Sequence, residues 1–142
     1  MDEIDRKLLA LLKRDARAPV AELARALGLA RSTVQGRIER LEARDVIAGY
    51  ALRLGSGAGL GRIRATVLLS LEPRANTAVL ARLRSLPEVE VAHTVSGRAD
   101  LVLTLAADTT DALDRTLDRI GEIEGVKGSE SLIHLSTKIR RG

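Results

Sequence analysis

The hydrophobic spacing of this chain changes once, and the change divides it. Up to about residue 44, apolar residues recur three and four positions apart, the period of a helix packed on one side. Ile4, Leu8, Leu11 and Leu12 share one face of a segment from Asp2 to about Arg14, with Asp2 expected as its N-cap. Val20, Leu23, Ala24 and Leu27 repeat the pattern over residues 20–28, and Gly28 stands where a helix stops. Val34, Ile38 and Leu41 line a third helix that ends near Arg44. From residue 62 the period is two. Ile63, Ala65, Val67, Leu69 and Leu71 alternate with Arg62, Arg64, Thr66, Leu68 and Ser70, which predicts a strand with one strongly apolar face. Helical and strand periods cannot share one element, so two units are expected, residues 1–52 and 62–142. Residues 46–54, VIAGYALRL, read as extended. GSGAGLG, residues 55–61, holds four glycines and marks a linker, placed at 53–61.

The second unit repeats itself at an offset of 37: Leu80, Leu83, Leu86 and Val89 align with Leu117, Ile120, Ile123 and Val126. Pro73 and Asn76 introduce its first helix; the second runs from about Thr109 to Ile120. Further strands are expected at about 89–96, 100–107 and 129–139. The order β-α-β, β-α-β predicts one sheet with two helices on one face, the ferredoxin-like arrangement.

The composition excludes several chemistries. Among 142 residues the one aromatic is Tyr50, so there is no platform for stacking single-stranded bases. There is no cysteine, hence no disulfide, thiolate nucleophile or thiolate metal site. Two histidines, His93 and His134, make no metal centre by themselves. No cofactor is expected. The amphipathic, charged start MDEIDRKLLALLKRD is neither a signal peptide nor a membrane span, and the default expectation is a cytoplasmic protein.

The net charge of +4 is weak evidence for nucleic acid, but its distribution says more. Two short helices joined at Gly28, with a third in front, make a helix-turn-helix whose second helix would enter the major groove of duplex DNA. At about 100° per residue, the side opposite Val34, Ile38 and Leu41 holds Ser32, Gly36, Glu39 and Arg40, flanked by Thr33, Gln35 and Arg37. All but the glycine can bond phosphates or base edges. With Arg31 preceding them, Arg31, Ser32, Thr33, Gln35, Gly36, Arg37 and Arg40 are the expected DNA contacts. A glycine inside a helix costs roughly 1 kcal/mol against alanine. On the exposed side, Gly36 either lets the backbone approach the groove or is a tolerated surface residue.

The stretches DEIDRKLLALLKRDAR, ELARALGLARSTVQGRIERLEARDVIAGY, Leu60-Gly61, SGRADLVL and EGVKGSESLIHLSTKIR resemble, in order, those of the Lrp/AsnC family of leucine-responsive or feast/famine transcription regulators. The resemblance implies an α+β protein: a three-helix winged helix-turn-helix, then a ferredoxin-like βαββαβ domain that binds an amino acid or similar metabolite between subunits. It further implies a homodimer joined through the sheets, assembling to tetramers or octamers, and a place at the nucleoid. Four positions depart from the family pattern. Ala30 replaces a capping serine, Pro19 replaces the capping Ser or Thr of the second helix, Asp45 stands for a glycine, and Ala99 stands for a frequently aromatic residue. Losing such a cap typically costs about 1 kcal/mol.

Gly97-Arg98-Ala99-Asp100 joins two strands. Arg98 can clamp a carboxylate and Asp100 can accept from an ammonium, which suits an α-amino acid; the same four residues also make an ordinary hairpin turn. By resemblance, Ser96 belongs with this loop, and Ser129 and Ser131 match pocket-lining positions. His134, alternating with Leu135, is expected on the sheet face away from the helices. A tetrapyrrole (sirohaem) decarboxylase of similar architecture, using histidine and arginine, is one alternative. An effector-sensing partner with a decayed DNA-binding half is another.

Overall fold

The computed structural model describes residues 1–55, 57 and 61–141. Ser56, Ala58, Gly59 and Leu60, within the expected linker, and Gly142 lie outside the described residues, and with them the Leu60 half of the Leu60-Gly61 pair. Two compact units form, Met1–Arg53 and Leu54–Arg140.

In the first unit, α1 (Glu3–Arg14), α2 (Val20–Leu27) and α3 (Arg31–Ala43) enclose Leu8, Leu12, Leu23, Ala24, Val34, Ile38 and Leu41. Leu8 and Val34 are fully buried. Burying such a side chain contributes about 1.5–3 kcal/mol. Asp2 caps α1 reciprocally: its carboxylate accepts from Asp5 N at 2.9 Å, and its own N–H donates to the Asp5 carboxylate at 3.3 Å. Gly28 ends α2 at φ 68°, a left-handed conformation that glycine reaches without a Cβ clash. Pro19 and Ala30 supply no side-chain cap to α2 and α3. Asp45 follows α3 at φ 57°, the conformation its place in the sequence demanded.

The segment expected to be extended after α3 begins as a cap instead. Val46 N and Ile47 N both donate to Leu41 O, at 2.9 and 3.1 Å, and Ile47 packs on the core. Residues 46–54 enter no strand pairing, so the first unit carries no wing strand among the described residues.

The second unit is β1 (Ile63–Leu71), α4 (Asn76–Arg84), β2 (Val89–Thr94), β3 (Leu101–Ala107), α5 (Thr110–Gly121) and β4 (Val126–Ile133). The sheet order is β2-β3-β1-β4, antiparallel throughout, the ferredoxin-like topology. The internal repeat is physical. Leu86 N donates to Leu83 O at 3.0 Å and Val89 N to Leu86 O at 3.1 Å; 37 residues on, Ile123 N donates to Ile120 O at 3.2 Å and Val126 N to Ile123 O at 3.1 Å. Ala65, Val67, Leu69, Leu101, Leu103 and Leu105 meet Val79, Leu83, Leu113 and Ile120 in the core. Thr116 is buried among them, its hydroxyl donating to Ala112 O at 2.9 Å.

The last strand differs from the reading of 129–139: it starts three residues earlier and ends six earlier. Its one neighbour is β1, where Ile133 stands opposite Ala65, and His134 N makes one more bond to Arg64 O at 2.9 Å. Beyond that point only Ile63 of β1 remains, and Leu135 and Ile139 are exposed. No helix among the described residues is long and apolar enough to cross a membrane.

Candidate DNA-binding and effector sites

The outward side of α3 carries Arg31, Ser32, Thr33, Gln35, Glu39 and Arg40, all exposed. Val34, Ile38 and Leu41 fix that side by burying the opposite one. Gly36 lies in its midst, and a Cβ built there meets nothing within 4 Å. Gln35 donates its amide to Glu39 at 3.1 Å, one helical turn on.

Arg37 is placed otherwise. Its Nη1 donates to both Asp2 carboxylate oxygens at 2.9 and 2.8 Å and to Asp5 Oδ1 at 2.9 Å. Only 17% of its side chain is exposed, against 15% for Asp5. The Asp5 backbone N–H, and after it the Arg37 guanidinium, hold the Asp2 carboxyl below its ordinary value. The carboxylates of Asp2 and Asp5 in turn hold Arg37 more firmly protonated. Of the seven expected DNA contacts, this one is committed within the protein. Its partners were not found in the sequence, because a pairing across 35 and 32 positions leaves no periodic signal.

The loop from Val95 to Asp100 closes β2 onto β3, with Gly97 at φ 146°. Asp100 ties its base: its carboxylate accepts from Leu71 N at 2.8 Å, its N–H donates to Leu69 O at 2.8 Å, and its carbonyl accepts from Val95 N at 3.1 Å. One carboxylate oxygen is therefore already engaged with β1. Ala99 is buried, whereas Ser96 and Arg98 are exposed. Arg98 reaches the Glu130 carboxylate at 3.2 Å. By register, Glu130 shares a face with Leu68, the face without helices. Ser129 and Ser131 stand opposite Leu69 and Val67 and so lie on the other face. Both serines are exposed because β4 is an edge strand. The fold thus gathers Ser96, Arg98 and Asp100 in one loop but separates the two serines from the carboxylate that Arg98 holds.

His134 lies on the open face, its Nε2 2.7 Å from Thr66 Oγ1; His93, opposite Val102, shares that face. Among the described residues no group of His, Cys, Asp or Glu is placed to hold a metal ion. A recess of about 920 Å³ beside α4, lined by Glu72, Ala78, Arg82 and Glu124 among others, includes none of the expected site residues.

A helix-turn-helix ahead of a ferredoxin-like sheet with an open face defines a two-part regulator, and the comparisons agree. The family model for the AsnC-type helix-turn-helix domain matches residues 1–42, and that for the Lrp/AsnC ligand binding domain matches residues 64–142. The HTH-type transcriptional regulator FL11 of Pyrococcus furiosus is 30% identical over 135 residues, 95% of this chain and 89% of that protein. The structure of E. coli AsnC superposes with a TM-score of 0.90 at 26% identity, covering 100% of this chain and 97% of that one. The feast or famine regulatory protein of M. tuberculosis, solved in complex with L-methionine, gives 0.86 at 36% identity, covering 98% and 95%. The chain belongs to the Lrp/AsnC family and is a DNA-binding transcriptional regulator.

Proposed function

We propose that this regulator binds double-stranded DNA sequence-specifically through the outward side of α3, and that a small metabolite bound by its second unit controls that binding. The observation that carries the DNA reading is the arrangement around Gly36: Ser32, Thr33, Gln35 and Arg40 surround a position with no side chain, on a helix whose other side is anchored. Backbone can approach a groove there while the flanking donors reach base edges and phosphates. The effector is an amino acid, held at the Ser96–Asp100 loop; Ser129 and Ser131, on the other face of β4, are left out of this site. Arg98 already grips a carboxylate, that of Glu130, and a ligand carboxylate would take its place. The relative solved with L-methionine supports this choice. The protein works as a homodimer joined through the open sheet face, assembling to tetramers or octamers, in the cytoplasm at the nucleoid.

Selection of duplexes from a random-sequence library tests the first part. A consensus should emerge, with affinity falling steeply between low and moderate salt, by about −0.9 in log–log slope for each phosphate neutralised. Failure to enrich any sequence, or binding indifferent to salt, overturns it. For the effector, the twenty amino acids are titrated against the complex with the enriched duplex; no change with any of them refutes the amino-acid assignment.

A further inference from the structure

We infer that Arg37 is a positioning residue, a tether from the middle of α3 to the N-terminus of α1 that sets how α3 is presented to DNA. The inference rests on the DNA-binding reading above. Neither α2 nor α3 has a side-chain cap, since Pro19 and Ala30 offer none. The orientation of α3 therefore rests on Val34, Ile38 and Leu41, whose burial is non-directional. Ion-paired hydrogen bonds are directional, and Arg37 makes three of them, all from Nη1. Its acceptors are fixed beforehand. Asp2 and Asp5 are locked to each other's backbone N–H groups by the reciprocal cap of α1. Nε is buried, with no acceptor among the described residues. Arg37 adjoins Gly36, so a rotation of α3 about its axis would move the open position and its flanking donors together.

The sign of the effect is unusual. Asp2 and Asp5 are acids in a DNA-binding unit, and removing them should favour phosphate by simple charge. As anchors of the tether, they should instead be needed for specific binding. The full-length protein is measured on the duplex it enriches from a random library and on a scrambled duplex of the same length. The variants are Arg37→Gln, Asp2→Asn with Asp5→Asn, all three changes together, and Arg37→Lys. Specific affinity should fall on the order of tenfold for Arg37→Gln and for the two Asp changes, the scale set by a charged hydrogen bond. The triple variant should be no worse than Arg37→Gln, and binding to the scrambled duplex should hold or rise. The salt slope should be unchanged. Arg37→Lys should restore most of the loss, because one nitrogen makes every contact. If Arg37→Gln unfolds the protein, Asp2→Asn alone, at a half-exposed residue, decides. Equal weakening on both duplexes with a slope shallower by about one would make Arg37 a phosphate contact and overturn the inference. So would Asp changes that strengthen binding to both duplexes. Should the wild type enrich no duplex, the DNA-binding reading fails instead, and the tether with it.

Discussion

Thr66 Oγ1 and His134 Nε2 lie 2.7 Å apart on the sheet face that carries no helix. Leu132 and Thr104 flank Thr66 in register, and the next row is Glu130, Leu68 and Val102. Leu132 is 50% exposed, and Leu68 and Val102 are only half-buried. A face with this much apolar surface marks an interaction site. The full-length protein should therefore sediment as a dimer or larger. Leu68→Glu buries a charge beside Glu130 and should weaken self-association by about a hundredfold or more, from the loss of about 1.5–3 kcal/mol per leucine. Circular dichroism should be unchanged, because the core side of β1 is untouched. A dimer that survives Leu68→Glu at micromolar concentration would place the interface elsewhere.

Acid should act on the first unit through Asp2. Its carboxyl is lowered from an ordinary value of 3.8, first by the Asp5 N–H and then by Arg37. A depressed folded value means that the stabilisation is complete above 3.8 and is lost as the pH falls through the lower folded value. From roughly pH 5 to 8 this group should contribute no pH dependence. Below that window the urea midpoint should drop, and Asp2→Asn should flatten part of the drop. An Asp2→Asn protein with the wild-type acid profile would show that the cap and tether do not depend on the charge.

Gly125, just before β4, has φ 103°, and a Cβ there would lie 2.7 Å from the Cβ of Ala75 and 3.2 Å from Val79 Cγ2. Gly125→Ala combines a left-handed alanine with overpacking and should destabilise by about 2–4 kcal/mol, read as a lowered thermal midpoint. Ala75→Gly in the same chain removes the closer contact but not the backbone strain, so it should recover part of the loss. A Gly125→Ala protein as stable as the wild type would contradict both contributions.

What the sequence disclosed was whatever repeats with a period. The buried apolar residues of α1, α2, α3, β1 and α5, and the offset of 37, follow from spacing. Pairings between distant residues do not. Arg37 read as a groove contact because its helical angle put it on a flank; the carboxylates that take it up lie in another helix. The end of β4 depended on where β1 stops, and alternation in KIRRG cannot report that. Thr116 was passed over because its hydroxyl hides in a helical hydrogen bond. In the loop, the charges of Arg98 and Asp100 are legible, but their partners within the protein, Glu130 and Leu71 N, are not. The bond from Leu71 N to Asp100, and the separation of Ser129 and Ser131 from Glu130, required the register.

Gly36 sits in the middle of the outward side of α3, with nothing within 4 Å of an added Cβ. Replacement by alanine therefore meets no clash and should raise stability by up to about 1 kcal/mol. A methyl group there should leave DNA binding slightly weaker or unaltered. Gly36→Leu should also fold, since a larger side chain still points into open space. It should hold the helix away from the groove, however, and forfeit base contacts of about 1–3 kcal/mol each. The expected loss on the enriched duplex is at least about tenfold, with thermal stability no lower than in the wild type. Arg40→Ala provides the scale, as the loss of one exposed side chain from the same surface without unfolding. Stability and binding would move in opposite directions at position 36, which a merely tolerated glycine does not require. Gly36→Leu binding the enriched duplex as tightly as the wild type would show that the glycine has no part in recognition.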